Sequence, residues 1–110
     1  ALNRFDLAYL HIVEALPGHF LALEGVEPAT PHMRREFKNP IILNGGYDAQ
    51  MGAAAIRDDK TDAIAYGIPF IANPDLVERY RQGAALNDPD PNTFYTHEPK
   101  GYVDYPALAA

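Results

Sequence analysis

The sequence predicts an α/β fold built on a parallel sheet, and three observations carry that expectation. Short, almost wholly apolar runs alternate with amphipathic stretches in the order strand, helix, strand, helix, strand, helix. The apolar runs read as strands buried on both faces of a parallel sheet. Glycines end two of those runs, and Asp or Thr opens the helices that follow.

Each element has its own warrant. Leu7-Ala8-Tyr9-Leu10-His11-Ile12-Val13 is the first strand. A loop rich in Gly and Pro follows to about Ala29, and then Thr30-Pro31 opens a helix, with Thr as N-cap and Pro at the first helical position. Met33 and Phe37 lie four apart on its inner face, while Arg34, Arg35, Glu36 and Lys38 take the outer one. Pro40 to Asn44 is the second strand, ended by Gly45-Gly46. Asp48 caps the next helix, whose apolar stripe is Met51, Ala54, Ala55 and Ile56. Asp62 to Tyr66 is the third strand, ended by Gly67. Asn73-Pro74-Asp75 repeats the cap-then-proline device, with Leu76, Val77 and Tyr80 on the buried face and Gly83 as the residue past the helix end. The stretch from Asn87 to Pro106, rich in proline and aromatic residues, reads as an ordered tail.

Composition bounds the function. The 110 residues make one domain at most. Formal net charge is −6, and the nine Lys and Arg are scattered, which points away from nucleic acid and anionic membranes and toward a small-molecule partner. No apolar run is long enough to span a membrane. There is no cysteine, which excludes disulfides and thiolate metal sites and fits a reducing cytoplasm. The chain opens Ala1-Leu2-Asn3-Arg4-Phe5, as in the last turn of a helix begun elsewhere, and it trails off in Ala107-Leu108-Ala109-Ala110. This reads as a piece with a cut front and a natural tail.

Three strands with helices on one face leave the other face bare. In a (β/α)8 barrel that face points inward and is covered by the remaining strands. The chain is therefore expected to need a partner. Two glycine-containing turns stand where barrels bind phosphate, at Asn44-Gly45-Gly46-Tyr47 and Tyr66-Gly67-Ile68-Pro69. Glycine lets a backbone amide approach a ligand without a Cβ in the way. Tight strand-to-helix turns would account for the same residues, and composition leaves both readings open.

Ala8-Tyr9-Leu10-His11, Ile42 to Tyr47, Tyr66 to Leu76, Thr93-Phe94-Tyr95 and Gly101 to Pro106 resemble, in order and spacing, the last three strand regions and the tail of the Old Yellow Enzyme family. The resemblance covers essentially the whole chain. It implies that residues 1–110 are the C-terminal part of a single (β/α)8 TIM barrel, strands six to eight with their helices, in an FMN-dependent oxidoreductase that uses NAD(P)H to reduce activated alkenes or nitrate esters. Gly45 and Gly46, then Gly67 and the amide of Ile68, would hold the FMN phosphate. Phe94 and Tyr95 would approach the flavin edge and the substrate mouth. The family position of Ile68 is mostly an Arg that pairs with phosphate, so here a charge-assisted contact is lost. The family's catalytic residues lie on earlier strands, and none is in this chain. The implied partner is the missing N-terminal barrel segment, as a second chain or a cleaved part, with a homo-oligomer as a further possibility. The alternative is a non-catalytic half-barrel that binds or dimerises.

The remaining candidates read as structural. His11 and Glu14 resemble half a metal site, but a packed or hydrogen-bonded role is the simpler expectation, and no metal is assigned. His19, His32 and His97 are expected to face solvent, as are Asp58, Asp59 and Asp62. Asp104, Tyr102 and Tyr105 are expected to clasp the tail. Leu16 to Leu23, with Phe20, is too apolar for a free loop and would cover the barrel mouth or meet a neighbouring subunit.

Overall fold

The computed structural model describes residues 2–109, so the terminal Ala1 and Ala110, on which the readings of the two chain ends rest, lie outside the described residues. The chain divides into two compact units, residues 1–65 and 66–110.

The first unit holds β1 (Leu10–Val13), α1 (Thr30–Glu36), β2 (Ile41–Asn44), α2 (Ala49–Arg57) and β3 (Ala63–Ile64). The sheet is parallel throughout, in the order β1-β2-β3. The expected α/β class and parallel pairing are present. The strands are shorter than their apolar runs, and Leu7 to Tyr9 lie outside β1. Leu10 pairs with Ile41 and Ile12 with Leu43, which puts all four on one face, where Phe37 packs against Ile41 and Leu43. His11, Val13, Ile42 and Asn44 share the opposite face. Val13 is 66% exposed there, so the strands are covered on one side and not on both. Ile41 and Leu43, at 0% and 2%, are the centre of the core.

The helix starts are corrected in one case and kept in the other. Asp48 caps α2 as expected, its Oδ1 accepting the Met51 N–H at 2.7 Å. Thr30 does not cap α1. The N-cap is Ala29, and its amide and that of Thr30 donate to the two carboxylate oxygens of Glu14, at 2.6 and 3.2 Å. A longer acidic side chain from the preceding loop takes the orphan amides, and the Thr30 side chain is buried instead. Within α2, the buried positions are Gly52 and Ala55, while Met51 and Ile56 are exposed. Backbone close to the helix axis, not a bulky stripe, is what this helix turns inward.

Arg34 is not a solvated outer-face residue. Its guanidinium pairs with Asp59 at 2.5 Å and with Asp62 at 2.7 Å. Asp62 also accepts the Ile41 N–H at 2.8 Å, so this acid is part of the sheet edge. The Arg34 side chain is only 24% exposed.

The second unit holds α3 (Ile68–Ala72), α4 (Leu76–Gln82) and a short 3-10 turn over Pro91–Thr93. The five-residue α3 has no counterpart in the sequence reading. Asn73 caps nothing. It is completely buried, donating to Pro69 O at 2.9 Å and accepting the Asn87 N–H at 2.7 Å. On α4, Leu76 is buried as expected, but Val77 is 60% exposed and Arg79 is buried in its place. Tyr80 is half-buried and meets Tyr66 edge-on, with ring centroids 5.2 Å apart. Gly83 ends α4 with φ +64°, the left-handed conformation its position called for. No helix among the described residues is long and apolar enough to cross a membrane.

Candidate functional site

The glycines at the strand ends have unequal surroundings. Gly45 is buried at φ +142°, and a Cβ there would lie 2.2 Å from the Glu14 carbonyl oxygen. The chain leaving β1 crosses it closely, with Leu16 N–H donating to Gly45 O at 2.8 Å. Its lack of a side chain is therefore explained by the fold. Gly46 is exposed at φ +93°, and the His19 ring lies over it, 3.0 Å from where a Cβ would stand.

Gly67 differs from both. Its φ is −90°, and nothing lies within 4 Å of a Cβ built on it. Packing gives no reason for glycine at this point. Ile68 begins α3 and is 43% exposed, so its N–H has no acceptor within the helix and its side chain reaches solvent. Phe94 is half-buried and Tyr95 is 94% exposed, both just past the 3-10 turn.

His19 was expected in solvent and is not free. It is half-buried, stacks on Phe20 at 4.5 Å, and its Nδ1 accepts the Leu21 N–H at 3.2 Å. Only the tertiary path of the 14–29 loop brings it to Gly46, since no spacing in the sequence relates positions 19 and 46. The rest of that loop leaves Phe20 80% and Leu23 75% exposed. Glu14 is hydrogen-bonded, as the simpler reading had it, with both oxygens on the start of α1. Asp104 accepts the Gly101 N–H at 2.7 Å, and the Tyr105 hydroxyl accepts that of Asp90 at 2.8 Å, so both serve the tail's own structure. Tyr102 is 84% exposed and has no such contact.

A cavity of about 620 Å³ in the first unit is not at the glycines. It is lined by Leu16, Pro17, Leu43, Tyr47, Met51 and Ala55, among others, on the covered side of the sheet where Leu43 points. Burial, and then the Glu14 carboxylate, push the Tyr47 phenol above its usual range, so it stays protonated. Charged side chains line the cavity as well, Glu14 and Asp59 together with Arg34 and Lys60.

These elements define a small α/β segment with a parallel sheet. The Old Yellow Enzyme homologue of Zymomonas mobilis aligns with a TM-score of 0.91 and 37% identity, covering 97% of this chain and 30% of that one. Morphinone reductase, solved with tetrahydroNAD, aligns at 0.83 with 48% identity, covering 98% and 28%. Among curated proteins, 12-oxophytodienoate reductase 2 of Arabidopsis thaliana is 37% identical over 109 residues, 98% of this chain and 29% of its own length. A 12-oxophytodienoate reductase-like protein of Solanum lycopersicum is 38% identical over 108 residues, 97% and 28%. No protein-family model matches the chain. Its homologues are 12-oxophytodienoate reductases and Old Yellow Enzymes, and the chain fits a segment of that family. It spans 36% of the length of one rice relative and 27% of another.

Proposed function

We propose that the chain is the part of a (β/α)8 barrel that carries strands six to eight, in a flavin-dependent oxidoreductase that takes hydride from NAD(P)H and reduces activated alkenes or nitrate esters. FMN, when bound, supplies the hydride chemistry. This chain's residues supply grip and orientation. The resemblance assigns the FMN phosphate to the backbone amides of Gly45 and Gly46 in the first unit and of Gly67 and Ile68 in the second, and the flavin edge to Phe94 and Tyr95. The observation that carries this reading is Gly67: a glycine with open space where a Cβ would stand, at the turn where the resemblance puts an FMN phosphate. The room left there is what a close-approaching anion needs. Gly46 is also compatible, being exposed with its amide on the loop surface.

The bare sheet face supports the need for the rest of a barrel. Val13 and His11 stand on it uncovered, and β1 and β3 are both edges. The remaining strands, as one chain with this segment or as a separate piece, would cover it.

Gly67→Val in the FMN-loaded barrel is the test. The fold should tolerate it, because the space is empty, while the branched side chain blocks the amide of residue 68. FMN release on dialysis should increase at least about tenfold, a loss of roughly 1.4 kcal/mol, with an unchanged melting temperature. Retention equal to the parent would place the phosphate elsewhere.

A further inference from the structure

Residues 88–105 form a loop of the second unit whose two ends meet at a pinched base. Asn87 Nδ2 donates to Ala72 O at 2.7 Å and to Pro106 O at 2.8 Å, which ties the residue before the loop to the residue after it. Beneath this tie lies Arg79, 4% exposed. Its Nε donates to Asp75 Oδ1 at 2.7 Å, Nη1 to Ala85 O at 2.6 Å and Nη2 to Pro106 O at 2.8 Å. The second Asp75 oxygen accepts the Leu108 N–H at 2.7 Å.

The loop is also fixed within itself. Tyr105 holds the Asp90 amide, and the Thr93 hydroxyl donates to Asp90 O at 2.8 Å. Gly101, buried at φ +77°, sits so close to Thr93 that a Cβ would fall 2.0 Å from its Oγ1. The 3-10 turn is thus locked from both sides, and Phe94 and Tyr95 follow it directly.

A long surface loop costs little to leave loose, whereas a buried guanidinium is costly unless every donor direction is met. Here the expensive device anchors a loop whose tip carries an almost fully exposed tyrosine. Holding that tip still gives the isolated unit no packing in return. Arg is suited to the task because its planar fork reaches three acceptors in fixed directions, which an ammonium on a flexible stem does not reproduce.

We propose that Arg79 and Asn87 are positioning residues: they make residues 88–105 a preformed arm that sets where the Phe94–Tyr95 corner meets flavin and substrate. This rests on the flavin-edge reading of that corner. The test uses Arg79→Lys, Asn87→Ala and Tyr95→Ala in the FMN-loaded barrel, with amide hydrogen exchange, the visible flavin band, and KM and kcat for an enone. In both clasp variants, exchange within residues 88–105 should accelerate by roughly tenfold or more while α2 and the sheet keep parent rates. KM should rise several-fold with kcat little changed, and the flavin band should shift in the same direction as in Tyr95→Ala. Asn87→Ala carries the test if Arg79→Lys does not fold. Parent-like exchange in the loop would overturn the clasp. Faster exchange with parent-like KM and flavin band would overturn the positioning role, provided Tyr95→Ala moves both. If Tyr95→Ala moves neither, the corner does not face the flavin, and the proposal falls with that reading.

Discussion

The two units of this chain are held by opposite chemistry. Residues 2–65 close around apolar side chains, with Phe37, Ile41 and Leu43 at the centre and the half-buried Leu10, Ile12 and Ile64 around them. Residues 66–109 bury little apolar bulk beyond Ala72 and Leu76, and they bury Asn73 and Arg79 instead. In the first unit three strands pair in a parallel ladder. In the second, which has no strand among the described residues, side chains of Asn73, Asp75, Arg79 and Asn87 bond backbone groups 14 to 33 residues away. The difference teaches what to expect of each. An apolar core loses stability in proportion to the volume removed. A polar network loses it abruptly, because each broken bond strands a buried partner.

The strongest blow should come from Gly45→Ala. A Cβ 2.2 Å from the Glu14 carbonyl cannot be relieved by a flexible side chain, and φ +142° disfavours any L residue. Denaturant unfolding of the barrel that contains this segment should show a loss above about 3 kcal/mol. A loss under 1 kcal/mol, on the same scale, would mean that the β1 and β2 exits do not cross as described.

Next come Arg79→Met and Leu43→Ala, which put the two chemistries side by side. Arg79→Met leaves the Ala85 carbonyl without its donor and Asp75 without its cation, with only Asn87 left on Pro106 O, and should cost about 3–5 kcal/mol. Leu43→Ala, in the sheet core, should cost about 2–5 kcal/mol. Hydrogen exchange should separate them: the first should loosen residues 88–108, the second the β1–β2 ladder. The same amides responding to both would erase the distinction between the units.

Acid should act on both units through one carboxylate each. Asp62 is held below its ordinary value of 3.8 by the Ile41 N–H and then by Arg34, and Asp75 below the same value by Arg79 and then the Leu108 N–H. A depressed folded value means stability that is fully present above the unfolded value and is lost as pH falls through the folded one. Stability should therefore decline from about pH 4 downward. Asp62→Asn should flatten part of that decline, which unfolding curves taken across this range would show. An unaltered acid limb would sever the carboxylate from the sheet edge.

The smallest effects are expected where pattern and structure disagree. Val77→Gln and Met51→Gln replace exposed apolar residues that periodicity assigned inward, and each should change stability by less than about 0.5 kcal/mol. A loss of 2 kcal/mol or more at either, in the same unfolding assay, would show that its face is covered in the barrel.

Those disagreements mark how far the sequence could be read. Short apolar runs located β1 and β2, and an Asp cap before a thin apolar stripe located α2. The pattern missed α3, since Ile68 to Ala72 is apolar, contains Pro69 and is too short to show a period. It put Val77 inward, because hydropathy cannot anticipate that a guanidinium bonded to Asp75, Ala85 and Pro106 takes the buried position on that helix. It gave Thr30 the capping role by adjacency, when the amides are taken by Glu14 sixteen residues earlier. At the candidate site, the positions of Gly45, Gly46, Gly67, Ile68, Phe94 and Tyr95 came from spacing and resemblance. Their unequal surroundings did not.

What the sequence determined by itself was the α/β class, the order of the elements, the Asp48 and Gly83 helix ends, and the kinship with Old Yellow Enzymes. These are local or cumulative properties: propensity, period and a run of matching residues. Tertiary structure alone decided which glycine is demanded by packing and which is left open, which histidine lies over Gly46, and which cation is buried under the tail. Such facts depend on residues distant in the chain meeting in space, and a polar group's partner, unlike an apolar one's, must lie in a particular direction at hydrogen-bond distance.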